Sequence, residues 1–272
     1  MSNEVSKRIN RRELNILYIM TDEQPVSCVA GFGNPVIKTP NLDQLSKKGC
    51  KLEKTYIASF PCCASRASQL TGRYLHNHNV FGNDIAIDET IPSLGTICKS
   101  AGYTTGYFGK WHLGGFMYKG HKNPGKPAEF YCERLEKDEG WGKKIVEGGK
   151  GEDYPQCGFT SWAGGWKQYH QWLKDSGQGN LLDQFFPKGA KFGGHVIAPA
   201  TSDAKHNYSQ VPEDYHVEAF AAGQTCDFIK ENADSSKPWC SVLSFYGPHS
   251  PVAPPKPWDE MYSLDQVTLP AN

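Results

Sequence analysis

A chain of 272 residues with 38% hydrophobic and 12% aromatic content is long enough for one large core or two modest ones, so a globular protein is expected. Its 29 basic and 29 acidic residues cancel, which excludes a nucleic-acid footprint or a polybasic membrane patch written in bulk charge and leaves any anion site to local geometry. Nine cysteines without a C-x-x-C spacing argue against both a closed disulfide framework and a thiolate zinc site.

Ile16 to Met20 is an apolar run too short for a signal h-region or a spanning helix, so the reading is cytoplasmic, with periplasmic or secreted placement behind Arg11-Arg12 the lesser alternative and no membrane partner. The stretch Leu14 to Met20 predicts a parallel strand buried on both faces that delivers Asp22 and Glu23 at its C-terminal end. Thr39-Pro40 then opens a helix, with Thr39 as N-cap, Leu42 and Leu45 on one face and Gly49 as the stop. Lys51 to Ala58 reads as a second strand. Pro61 precedes a helix over Ala64 to Leu70 that ends at Gly72, so Cys62 falls at a helix N-terminus.

Ile91-Pro92 starts the next helix, closed by Gly102, and Tyr103 to Phe108 is a strand that delivers Lys110 and His112. Residues 115–214 are rich in Gly, Trp, Tyr and Lys without clean periodicity and read as a substrate-facing lid or insertion. Its Trp141, Trp162, Trp166, Tyr169 and Trp172 could stack on a sugar or aryl group, or simply pack. Val217 to Ile229 marks a helix, and Trp239 to Tyr246 a core strand that delivers Pro248 and His249. Alternating strands and helices of this length predict an α/β fold with a mostly parallel sheet flanked by helices. Ligands bind such sheets beyond the strand C-termini, where one crevice could collect Asp22, Cys62, Lys110, His112 and His249.

Cys62-Cys63-Ala64-Ser65-Arg66, continued by Leu70-Thr71-Gly72-Arg73, resembles the first signature of the sulfatases, Cys-x-Pro-Ser-Arg followed by Leu-Thr-Gly. Gly102-Tyr103 leading to Gly109-Lys110-Trp111-His112-Leu113-Gly114 resembles their second signature. Asn15-Ile16-Leu17 before Asp22, Thr39 to Asp43, and Pro248-His249-x-Pro251 extend the likeness in order along the chain. The resemblance implies the alkaline phosphatase-like fold and a sulfuric ester hydrolase. In that family the first cysteine, here Cys62, is oxidised to formylglycine, whose hydrated aldehyde attacks sulfur and releases sulfate through its second hydroxyl.

By the same resemblance Arg66 holds the nucleophile, Lys110 and His112 clamp sulfate oxygens, and His249 donates a proton to the leaving oxygen. Asp22, with Glu23 and the modified Cys62, would ligate a divalent cation, calcium in most of the family. The implied partners are a sulfated small molecule or sugar and a formylglycine maturase. Ala64 stands where the family pattern has proline, which favours the anaerobic radical type of maturase over the oxygen-dependent one.

Cys63 reads as a space-filling neighbour, and His76, His78 and Asn83 as loop residues that could line the pocket. The chain stops before the Asp-His-Gly or Asp-Asn metal motif and the further lysine of the family pattern, so it reads as the N-terminal portion of a catalytic domain with an incomplete metal shell. Two alternatives stand beside the sulfatase reading: a phosphonate or phosphate ester hydrolase of the same superfamily, and an inactive sulfoester-binding fragment.

Overall fold

The computed structural model describes residues 14–83, 85–113, 157–163, 166–181, 209, 211–249 and 252–267. Four strands form one sheet: β1 (Ile16–Met20), β2 (Thr104–Gly109), β3 (Ser161–Ala163) and β4 (Trp239–Ser244). Their spatial order is β1-β4-β2-β3 and every pairing is parallel. Because all four run the same way, the chain leaves β1, β2 and β4 at one edge of the sheet, where Asp22, Lys110 and the loop to His249 follow within a few residues.

The sheet separates two apolar layers. On one face, α2 (Cys62–Thr71) and α4 (Leu94–Ser100) bring Cys63, Ala67, Leu70 and Cys98 toward the sheet, where the first three join Tyr107 and Val242. On the other, α5 (Trp166–Asp175) and α6 (Val217–Glu231) pack Tyr169, Leu173, Phe220 and Phe228 against Phe108 and Trp239. Two-residue periodicity explains the split, since adjacent residues such as Tyr107 and Phe108 point to opposite layers. Fully burying each of these large side chains stabilises the fold by roughly 1.5–3 kcal/mol relative to exposure.

The predicted helices form for the local reasons read in the sequence, with some shifts. α1 (Pro40–Lys48) begins at its proline, but Thr39 makes no side-chain cap; its Oγ1 accepts the Ala30 N–H and donates to Asp43 instead. Its Leu42 and Leu45 remain largely exposed. α2 ends at Gly72, whose φ of 65° is the left-handed C-cap that glycine adopts without strain. The helix expected from Ile91-Pro92 starts at Leu94, because Ser93 and Thr96 form a reciprocal capping box there. A short α3 (Leu75–His78) follows α2.

Two expectations are corrected, and a third, left open, is decided in part. β1 is an edge strand in the described sheet, pairing only with β4, so Leu17 and Ile19 stay 43% and 48% exposed rather than buried on both faces. Lys51 to Ala58 forms no strand: among the described residues nothing runs beside it to accept its backbone groups, and Tyr56 and Ile57 project outward. In the 115–214 segment the described aromatics are packing groups. Trp162 stacks on Tyr107 and meets Trp111 edge-on, while Tyr169 and Trp172 stack together against Phe220. Trp141 and the side chain of Trp166 lie outside the described residues, as does most of the segment read as a lid. Among the described residues no helix is long and apolar enough to cross a membrane.

Candidate active site

Cys62 is the first residue of α2, so its side chain sits among the free N–H groups of a ten-residue helix, where negative charge is favoured. The preceding Pro61 supplies no side-chain cap. Asn83 Oδ1 instead accepts the Cys63 N–H at 3.3 Å, which assigns Asn83 to holding the helix start. Ligand atoms of Asp22, Cys62 and His249 all lie within 4.8 Å of one another. The crevice over them is lined by Asp22, Glu23, Ser59, Cys62, Ser65 and Arg66, among others.

Below the crevice lies a buried electrostatic cluster. Asp22, Arg66 and Lys110 are 6%, 3% and 4% exposed. Lys110 Nζ donates to Asp22 Oδ2, and Arg66 Nη2 stands 3.5 Å from the same oxygen. Arg66 Nη1 also donates to the Lys110 carbonyl at 2.9 Å and to Ser244 Oγ at 2.7 Å. The guanidinium thus ties α2 to the ends of β2 and β4. Burial works to raise the Asp22 carboxyl, but Arg66 and then Lys110 and His249 outweigh it and hold it below the usual carboxylate range. Two buried cations facing one carboxylate leave a positive charge over, which suits a bound anion.

Gly109 makes the close approach of β2 and β4 possible at this end. Its φ is +94°, and a Cβ there would stand 1.9 Å from the Ser244 carbonyl oxygen. That same oxygen accepts the Lys110 N–H at 2.8 Å. The glycine therefore sets where Lys110 leaves the sheet.

The unmodified Cys62 thiol is not an activated nucleophile. Burial first, and the Asp22 carboxylate second, push its pKa up despite Lys110 and Arg66. Cys63, by contrast, is fully buried, and its Sγ donates to the His112 carbonyl at 2.6 Å. That bond fixes the backbone of His112, itself buried with φ +59°. The His112 backbone is thereby tied to the second residue of α2.

His249 Nε2 lies 3.4 Å from Glu23 Oε1, with the two side chains 20% and 48% exposed. Glu23, at φ 62°, turns toward His249 and the rim, whereas Asp22 turns inward. The residues present fit one corner of a divalent-cation shell: Asp22, the atom at position 62 and, at the rim, Glu23 or His249. A hard cation such as calcium takes six to eight oxygens, more than the described residues supply.

His76 and His78 do not line the crevice. His76 stacks on Tyr74, with ring centroids 6.0 Å apart. His78 is fully buried; its Nδ1 accepts the Val80 N–H, so Nε2 donates to Ser68 Oγ, which in turn reaches Ser59 Oγ. Sequence reading missed Ser244 and Glu218. A serine inside an apolar strand and an acid in a helix's first turn carry no signal until the sheet brings β4 beside Arg66 and the loop over α6.

A family model described as Sulfatase matches residues 14–272. An arylsulfatase of Clostridium perfringens is 28% identical over 261 residues, covering 94% of this chain and 47% of that protein. The N-acetylgalactosamine-6-O-sulfatase of Bacteroides thetaiotaomicron is 31% identical over 125 residues, 42% of this chain and 24% of that protein. The phosphonate monoester hydrolase of Agrobacterium radiobacter superposes with a TM-score of 0.61 at 23% identity, over 92% of this chain and 44% of that one, which shows a shared fold. The chain spans 41% to 47% of the length of the curated relatives that match it nearly end to end.

Proposed function

This chain belongs to the sulfatase family, and from that membership we propose that it carries the nucleophile and the anion clamp of a sulfuric ester hydrolase acting on a sulfate monoester. The observation that carries the reading is the meeting of Cys62, Asp22 and His249 within 4.8 Å at a helix N-terminus, over the buried Arg66–Lys110 pair. Cys62 is the residue converted to formylglycine, which supplies a hydrated aldehyde with one hydroxyl to attack and a second to release the product. The raised thiol pKa supports the need for that conversion, since the bare cysteine is a poor nucleophile near neutral pH.

Arg66 lies one turn after Cys62 on the same face of α2 and neutralises negative charge growing beside it. Lys110, released from Asp22 when an anion or cation enters, holds a non-bridging ester oxygen. His249, oriented by Glu23, is the proton donor to the leaving oxygen. His112, two residues on from Lys110, is the second clamp residue of this reading. Asp22 and Glu23 supply carboxylate oxygens to a divalent cation, for which calcium is the proposed occupant. A sulfated sugar is the proposed substrate, in keeping with the N-acetylgalactosamine-6-O-sulfatase among the relatives. The proposed maturation partner is a radical maturase of the anaerobic type.

The test is co-expression of the chain with such a maturase, peptide mass analysis of residue 62, and parallel turnover of 4-nitrophenyl sulfate and 4-nitrophenyl phosphate with added calcium. Conversion at Cys62 is expected, with turnover kept low by the partial cation shell and faster on the sulfate than on the phosphate ester. An unmodified Cys62 together with faster phosphate hydrolysis would overturn the reading.

A further inference from the structure

Glu218 sits in the first turn of α6, on an element that carries none of the residues so far assigned to chemistry. An acid in this position often does no more than complement the helix dipole from the surface. Here both oxygens of a largely buried carboxylate are taken up by one loop. Oε1 accepts the Gly247 N–H at 2.6 Å and Oε2 accepts the Tyr246 N–H at 3.2 Å.

That loop is the one leading to His249, and it is fastened twice more. The Gly247 carbonyl accepts the Asp22 N–H at 3.1 Å, and the His249 N–H closes the turn onto the Tyr246 carbonyl at 3.2 Å. Glu218 is itself anchored, because His216 Nδ1 accepts its backbone N–H at 3.4 Å as the helix cap. An unbroken chain of contacts therefore runs from α6 through the loop backbone to the two strand ends that carry Asp22 and His249. Burial pushes the Glu218 carboxyl up to about 7, and the two amides are the compensation that works against this rise.

We propose that Glu218 is a positioning residue, which sets the Tyr246–His249 loop and, through the Gly247 carbonyl, the Asp22 backbone in the geometry of the site. It touches neither substrate nor the reacting atoms. Its effect is on where His249 and Asp22 stand.

Amide hydrogen exchange on the chain and on its Glu218→Ala and Glu218→Gln variants tests this without any need for turnover. Each lost hydrogen bond is worth on the order of 1 kcal/mol, or about five- to tenfold in local protection. Glu218→Ala is expected to lower protection by about that factor at Gly247 and Asp22 and to leave Val242 and Leu243 in β4 unchanged. Glu218→Gln keeps one acceptor but turns an NH2 toward the other amide, so an intermediate loss is expected, and it serves if the alanine variant does not fold. Unchanged protection at Gly247 and Asp22, or an even loss across β1, β2 and β4, would overturn the proposal.

A kinetic arm rests on the sulfatase reading. With His249 displaced, an alkyl or sugar sulfate, whose leaving group needs a proton, should lose about tenfold more kcat than 4-nitrophenyl sulfate, whose leaving group does not. Equal losses on both esters would count against positioning of His249. If the unmutated chain, whose described residues supply only part of a cation shell, turns over neither ester, the amide pattern alone decides the role of Glu218.

Discussion

Replacing Asp22 by asparagine should be among the most destabilising single changes in this chain. Asp22, Arg66 and Lys110 are each buried to within a few per cent, and the carboxylate is the shared counter-charge of both cations. Removing it leaves two desolvated cations facing each other, for which a cost of about 3–5 kcal/mol is expected. Lys110→Met is the milder change, because Asp22 keeps Arg66 at 3.5 Å, and about 1–2 kcal/mol is expected. In the double variant Arg66 still donates to the residue 110 carbonyl and to Ser244 Oγ, so the loss should fall short of the sum of the singles by about 2 kcal/mol. Urea unfolding followed by the buried Trp111 and Trp239, with a chelator present, measures all four corners of the cycle. The pH dependence has a definite sign. The Asp22 carboxyl is held down in the fold, so its contribution is present above the ordinary carboxylate pKa and is lost as pH falls through the folded value. A coupling below about 0.5 kcal/mol, or an Asp22→Asn variant as stable as the parent, would show that the cluster is solvated and that the account of a buried counter-charge is wrong.

Other expectations follow from single contacts. Cys62→Ala should abolish turnover of sulfate esters with little change in stability, whereas Cys63→Ala should cost about 1 kcal/mol through the lost packing and its bond to the His112 carbonyl, as thermal melts would record. Wild-type activity in Cys62→Ala would refute the assignment of the nucleophile. Gly109→Ala places a Cβ 1.9 Å from the Ser244 oxygen at positive φ, so a loss of more than about 3 kcal/mol is expected in urea unfolding; a loss under about 1 kcal/mol would contradict the close approach. Burial lowers His216 from 6.5 to about 4, so the unfolded chain takes up a proton first and stability falls as pH drops from about 6.5 toward 4. Between pH 7 and 5 the contribution is on the order of 2 kcal/mol, and His216→Asn, which retains a capping side chain, should remove it; an equal acid sensitivity in the variant would rule this group out.

Local signals were enough for several elements. The apolar runs that became β2 and β4, the glycine stop of α2 and the proline start of α1 act over a few residues, and their physics is complete within the chain segment that contains them. The ordered signature residues likewise identified Cys62, Arg66, Lys110 and His249 as candidates, and a parallel sheet sends the segments following β1, β2 and β4 to one edge.

What the sequence could not decide were properties that depend on a neighbour from elsewhere in the chain. Lys51 to Ala58 has strand-like residues but, among the described residues, no partner edge. β1 is apolar throughout, yet Leu17 and Ile19 stay exposed because in the described sheet it pairs with β4 alone, while α6 packs chiefly on β2 and β4 and reaches β3. His78 resembled a pocket residue until folding put Ser68 and Val80 against its two ring nitrogens. Glu218 lies 31 residues before His249 in the chain and reaches that loop only because α6 crosses beneath the end of β4. Local propensity depends on a residue and its few neighbours, but burial and hydrogen-bond satisfaction are settled between surfaces that meet only in the folded chain.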